Sequence, residues 1–155
     1  MALETTDLGP MELLAPDEPP HALRGTHGRM WQWIGDGSEL FTLAVAVRET
    51  RLGNAHGTRD HLAWELRQLQ PQGPDGADAP EVRDVAVLVP GATAAAAADV
   101  SGEVRGHAVR HRVVVSTDGE VMHVVRVVVP DNPVGGELAD RVSSSLKVRA
   151  AQEPA

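Results

Sequence analysis

Alternating apolar and polar residues in the first third of the chain predict a β-hairpin. Residues 29–34 and 39–49 flank a Gly-Asp-Gly-Ser sequence, which is typical of a tight turn. A three-residue loop places Trp31 and Trp33 on the same sheet face as Phe41, whereas a two-residue turn separates them. The three-residue loop gathers the large apolar side chains on one face, so this register is predicted.

A second hairpin is predicted over residues 106–116 and 121–129, which flank an Asp-Gly turn. A loop with an odd number of residues places most of the valines on one face. The opposite face then carries Arg110, Arg112 and Arg126 together. A loop with an even number of residues mixes Arg126 with the valines, so the odd loop is predicted.

Two segments have the spacing of amphipathic helices. Leucines recur at i, i+4 and i+7 within residues 60–69, and Asp60 is a suitable N-cap. Asn132 followed by Pro133 predicts the start of a second helix, because asparagine caps well and proline suits the first helical position. Three further strands are predicted over residues 11–15, 81–89 and 93–98, the last being a run of alanines.

The resulting order, β-β-β-α-β-β-β-β-α, predicts an α+β fold. We expect a mostly antiparallel β-sheet of about six to seven strands packed with two main helices. A single domain is predicted over residues 11–148, between a flexible N-terminus at 1–10 and a flexible C-terminal tail at 149–155. Residues 70–80 are rich in proline, glycine and aspartate and are predicted to form a loop within the domain.

Composition limits the partners that this domain can have. The chain has 155 residues and a formal net charge of -8, with three tryptophans, one phenylalanine and no tyrosine. An acidic surface repels phosphate backbones, so no nucleic-acid partner is expected. No apolar run approaches the length of a membrane span, so no membrane partner is expected either. Residues 1–10 lack the pattern of a secretory signal, which predicts a cytoplasmic location.

The C-terminal half resembles a known superfamily. A Pro90-Gly91-Ala92 turn precedes the alanine-rich strand and the long hairpin. Pro130-Asp131 then leads into a helix that ends in Ser145-Leu146-Lys147-Val148. Over residues 28–148 this succession is similar to the PsbP-like α/β/α sandwich superfamily, which includes PsbP, Mog and actinobacterial LpqN-type relatives. The resemblance implies an accessory protein that binds a partner, and it transfers no catalytic residues.

The residue types that commonly bind metals or act in catalysis do not form recognisable motifs in this sequence. His107 and His111 stand four apart on a predicted strand, about 13 Å from each other, which is too far to share an ion. His111 and His123 lack a third ligand, and cysteine is absent. The serines at 143–145 do not form a nucleophile elbow. We therefore expect no metal, no cofactor and no enzymatic activity, with a site of dispersed His, Asp and Arg as the least favoured hypothesis.

Four residues are candidates for partner binding. Arg110, Arg112 and Arg126 are predicted to form a basic patch that binds an acidic segment, a carboxylate or a phosphate. The alternative is that their stems cover the sheet while their heads reach water or acidic neighbours. Trp64 lies off the apolar stripe of its helix, which indicates an exposed contact residue.

Two functions follow from these candidates. The first is a non-catalytic protein-interaction or assembly module that uses a sheet face or the loops at 53–60 and 70–80. The alternative is a small-molecule carrier with a pocket between sheet and helix, lined by Trp31, Trp33 and Phe41. The same aromatic residues otherwise supply bulk to the core. A monomer or weak homodimer is expected.

Overall fold

The computed structural model describes residues 2–9, 11–25, 28–34, 42–51, 57–69, 82–119 and 121–148. Ten strands and two helices lie in this part of the chain. The strands are β1 (Leu3–Asp7), β2 (Met11–Pro16), β3 (His21–Gly25), β4 (Gly28–Trp33), β5 (Leu43–Arg51), β6 (Val82–Val85), β7 (Ala94–Val104), β8 (His107–Thr117), β9 (Val121–Pro130) and β10 (Lys147–Val148). The helices are α1 (Thr58–Leu69) and α2 (Pro133–Ser144).

The described strands form two antiparallel sheets. The large sheet has seven strands in the order β3-β4-β5-β9-β8-β7-β6, and the small sheet has three in the order β1-β2-β10. α1 packs on β7 and β8, whereas α2 packs between β9 and β8 of the large sheet and β2 of the small one. We call the two sides of the large sheet the α1 face and the α2 face. The predicted α+β class, with a mostly antiparallel sheet and two helices, is confirmed.

Each face of the large sheet has its own hydrophobic core. Because both faces are covered, the central strands are valine-rich on both sides rather than apolar on one side only. The α2-face core includes the buried side chains of Trp33, Val45, Val114, Val125 and Leu138. The α1-face core includes Leu62, Leu66, Val113, Val115 and Val124.

The register of the β8–β9 hairpin differs from the prediction. Thr117 pairs with Met122, and Val113 pairs with Arg126, so the loop has an even number of residues. The predicted odd loop assumed that the valines gather on one face, and this assumption fails when both faces are buried. The Asp118 carboxylate stabilises the observed turn by accepting a hydrogen bond from the Val121 N–H at 2.9 Å.

The β4–β5 pairing confirms the predicted face but not the predicted register. Trp31 pairs with Val45 and Trp33 with Leu43, so both tryptophans share the α2 face with the large apolar residues of β5. The observed pairing is shifted by two residues relative to the pairing that the predicted three-residue loop gives. Phe41 and the predicted Gly-Asp-Gly-Ser turn lie outside the described residues.

Several elements were not expected from the sequence. β1 forms an outer strand paired with β2, where a flexible N-terminus was predicted. β3 and β10 are also new, and β6 is shorter than the predicted strand over 81–89. Short edge strands show little alternation of apolar and polar residues, so the sequence pattern does not predict them. The predicted tail at 149–155 and the predicted loop at 70–80 lie outside the described residues.

The two helices begin in different ways. Asn132 caps α2 as predicted, since its Oδ1 accepts a hydrogen bond from the Gly135 N–H at 2.8 Å and Pro133 is the first helical residue. Asp60 does not cap α1, because the helix begins at Thr58 and Asp60 lies inside its first turn. There its carboxylate still interacts favourably with the helix dipole.

Candidate functional site

A wide cavity of about 860 Å³ opens beside α1, next to the end of β5. Two residues of β5 and five of α1 line it, and they carry charges of both signs around one large aromatic ring. We call this cavity the α1 groove. Its described lining residues are Arg48, Glu49, Asp60, His61, Ala63, Trp64 and Arg67.

Trp64 is the most prominent side chain of the α1 groove, with 42% of its surface exposed. The Arg48 guanidinium lies over the indole, 5.6 Å from the ring centroid, which is the geometry of a cation–π contact. Arg48 also forms an ion pair with Glu65, one residue further along the helix. The His61 ring lies 5.6 Å from the indole, one helical turn before it. These contacts hold an exposed aromatic ring in place.

A smaller cavity of about 90 Å³ adjoins the α1 groove and shares Arg48 and Trp64 with it. It lies between α1 and strands β5 and β9, on the α1 face. We call it the Arg126 recess. Its described lining residues are Ala46, Arg48, Trp64, Glu65, Gln68, Leu69, Val124 and Arg126.

The Arg126 recess has an uncommon electrostatic environment. Burial, with a further contribution from Arg48, lowers the pKa of Arg126. The Nε atom of Arg126 is buried and has no hydrogen-bond partner among the described residues. Burial and then Arg126 lower the pKa of His111 to about 4, so the imidazole is neutral at physiological pH. Among the described lining residues of the recess, two arginines therefore meet the single carboxylate of Glu65.

The three arginines of the predicted basic patch do not lie together. Arg126 faces α1, because it pairs with Val113, whereas Arg110 and Arg112 lie on the α2 face. Arg110 is half-buried and pairs with Asp131 at 3.2 Å. The predicted patch is therefore wrong, for the same reason that the predicted hairpin register is wrong.

Arg112 is fully occupied by protein groups. Its Nε donates to Asp99 Oδ1 at 2.7 Å and its Nη2 donates to Asp99 Oδ2 at 2.8 Å. Its Nη1 donates to Asp140 and Ser143 of α2. The hydrogen bonds that Arg112 donates to Asp99 are the main cause that raises the pKa of Arg112. This buried guanidinium joins β7, β8 and α2, so it is not accessible to a ligand.

The aromatic pocket predicted for a carrier is closed where it is described. Trp33 has no exposed surface and packs in the α2-face core. Trp31 is half-buried and packs against the same core. A ligand cannot reach Trp33 without displacing that core. The third predicted residue, Phe41, lies outside the described residues.

The histidines are also separated. His111 lies on the α1 face and His123 on the α2 face, where its Nε2 lies 3.0 Å from Glu49 Oε1. Within the described ranges, no group of three or more His, Asp or Glu side chains is arranged to hold a metal ion.

Sequence reasoning identified Trp64 as exposed but missed its neighbours in the α1 groove. His61 and Arg67 could have been found, since they lie three residues before and three residues after Trp64 on the same helix. Arg48 lies on a strand that is distant in sequence, so only the tertiary structure brings it over the indole. Neither described helix is long and apolar enough to span a bilayer.

The described architecture defines an α+β class in which a seven-stranded antiparallel sheet has a helix on each face. Solved structures with this fold include the following two. LpqN of Mycobacterium tuberculosis, described as involved in cell envelope biogenesis, matches with a TM-score of 0.51 and 14% identity over 96% of this chain and 92% of LpqN. A crystal structure from Bacteroides thetaiotaomicron matches with a TM-score of 0.52 and 14% identity over 94% of this chain.

This chain spans 47% of the Bacteroides protein, about half its length. No protein-family model and no curated protein matches the sequence. The structural match to LpqN confirms the predicted likeness to LpqN-type proteins at the level of the fold. Neither neighbour is described by the name PsbP, so the wider superfamily assignment stays a prediction.

Proposed function

We propose that this protein is a non-catalytic accessory module that binds a partner protein through the α1 groove. The observation that carries the proposal is the exposed indole of Trp64, which contacts Arg48 and His61 and lines a wide cavity. Tryptophan and arginine are the residues most enriched among those that dominate the binding energy of protein interfaces. A fixed ring also loses little conformational entropy when a partner binds.

The composition of the α1 groove supports a role in binding. Charges of both signs surround the indole, as expected for a polar rim around an aromatic contact. LpqN is involved in cell envelope biogenesis, and the shared fold supports an accessory role of that general kind for this chain.

A comparison of two exposed apolar residues tests the proposal. Trp64 lies in the α1 groove, whereas Val134, 71% exposed, lies on α2 at the opposite side of the large sheet. Quantitative affinity purification from the native organism should recover at least tenfold less of the specific partner with Trp64→Ala, which corresponds to about 1.4 kcal/mol. Val134→Ala should recover as much as the wild type. Equal recovery by all three proteins would refute the proposed surface.

A small-molecule carrier is the second candidate, and the size of the α1 groove favours it. The cavity of about 860 Å³ lies within the range of ligand pockets. The pocket predicted at Trp31 and Trp33 lies on the α2 face. A carrier that uses the α1 groove would instead bind its ligand beside α1. Native mass spectrometry of the purified protein would show a discrete added mass, and Trp64→Ala would remove it.

A further inference from the structure

We propose that Arg126 anchors a carboxylate-binding site in the Arg126 recess, and that its natural occupant is a single acidic side chain of the segment bound in the α1 groove. This inference rests on the proposed function, because the recess and the groove share Arg48 and Trp64. It adds the chemistry of the partner: an aspartate or glutamate next to an apolar side chain.

The position of Arg126 directs its guanidinium into the recess. Arg126 lies in the centre of β9, opposite Ala46 on β5 and Val113 on β8. Neither neighbour offers a polar group, and the methyl group of Ala46 leaves space on that side. The guanidinium therefore extends toward α1, where the recess lies.

The described charges around Arg126 do not balance. Arg48 and Arg126 carry two positive charges in the recess, and Glu65 carries one negative charge. Glu65 is paired with Arg48, and no ion pair joins Arg126 to a carboxylate within the described part of the chain. A half-buried cation without a counter-ion is unfavourable, and the described residues supply none to Arg126, which favours an anion from outside the protein.

The shape of the site favours a carboxylate. The planar guanidinium donates two parallel hydrogen bonds to a planar carboxylate, and the recess of about 90 Å³ has room for such a group. The net charge of -8 repels a strongly acidic segment at long range. The matching partner segment therefore carries one carboxylate in an otherwise neutral or basic stretch, with its apolar neighbour on Trp64.

Nuclear magnetic resonance of the arginine Nε–H groups tests this site directly. Arg126→Lys lacks the Nε–H group, which assigns the Arg126 cross-peak by its disappearance. Sodium acetate, titrated against sodium chloride at equal ionic strength, should shift this cross-peak along a saturable curve. The Arg112 cross-peak is the internal control and should stay in place, because Arg112 Nε already donates to Asp99 at 2.7 Å.

Two results of this titration would overturn the proposal. The first is an Arg126 cross-peak that does not move with acetate, or moves equally with chloride. The second is tighter binding of inorganic phosphate than of acetate at equal charge, which would assign the site to a phosphate group instead.

Thermal unfolding of Arg126→Met separates a binding role from a structural one. If Arg126 serves only to bind a ligand, it contributes no stabilising ion pair to the free protein. Its replacement by methionine should then leave the melting temperature unchanged or raise it. The same variant should lose the stabilisation by acetate that the wild type shows. A fall in melting temperature as large as that of Arg112→Met would show that Arg126 is structural and overturn the proposal.

The partner assay distinguishes this inference from the proposed function. Equal binding of the partner to the wild type and to Arg126→Met would overturn the carboxylate site and leave the proposed function intact. Saturable acetate binding at Arg126 in a protein that binds no partner through Trp64 would support the site and refute the proposed function.

Discussion

At the residue scale, two arginines of the same hairpin have opposite roles. Arg112 is buried and satisfied by Asp99 and by two residues of α2, whereas Arg126 is half-buried and has a buried Nε without a partner among the described residues. They have the same residue type and similar local sequence. Their difference depends on which face of the sheet each one occupies.

Arg112→Met should strongly destabilise the protein, because it leaves the buried carboxylate of Asp99 without its partner. Removing one member of a buried ion pair costs about 3–5 kcal/mol. Arg110→Met is the matched control on the same strand and the same face, where a half-exposed pair with Asp131 contributes at most about 1 kcal/mol. Denaturant unfolding of the two variants should show this contrast. Similar losses in both would contradict the assigned network.

His111 should make stability depend on pH. Its pKa falls from 6.5 to about 4 in the folded protein, first because of burial and then because of Arg126. The unfolded chain therefore binds the proton more readily, so stability is complete above pH 6.5 and is lost as the pH falls toward 4. The loss is about 1.4 kcal/mol for each pH unit in this window.

The measurement is the difference in unfolding free energy between the wild type and His111→Gln at several pH values. Taking the difference removes the contribution of every group that the two proteins share. The wild type should lose stability more steeply below pH 6.5. Parallel curves for the two proteins would show that His111 is not buried as described.

At the element scale, the start of α2 depends on one side chain. Asn132 Oδ1 satisfies the Gly135 N–H, which otherwise lacks an intrahelical partner. Asn132→Ala should cost about 1 kcal/mol, whereas Asn132→Asp should keep most of the stability because aspartate is an equally good cap. Thermal unfolding measures both, and an equal loss in the two variants would contradict a capping role.

The sequence allowed most central elements to be predicted, but not the register of either hairpin. Local chemistry or simple alternation was enough to predict three features: the α2 cap, the alanine strand, and the shared face of Trp31 and Trp33. The β8–β9 register was predicted wrongly because the valine pattern of a sheet buried on both faces does not distinguish odd from even loops. The short strands β1, β3 and β10 depend on tertiary pairing, which a local pattern does not show.

At the scale of the whole molecule, the two faces of the large sheet carry different side chains. The α2 face is covered by α2 and the small sheet, and its buried Arg112 is paired with Asp99 and Asp140. The α1 face carries the exposed Trp64, the neutral His111 and Arg126, whose Nε atom has no partner among the described residues. We infer that stability resides mainly on the first face and recognition on the second.

The central claim is that the α1 face is the recognition surface, and site-specific photo-crosslinking tests it most directly. A photoreactive phenylalanine replaces Ala63, which lines the α1 groove beside Trp64, in one protein and Val134, exposed on the opposite side, in another. In living cells of the native organism, position 63 should give one discrete protein adduct that weakens when Arg126→Met is added, and position 134 should give none. A discrete adduct at position 134 with none at position 63 would contradict the account.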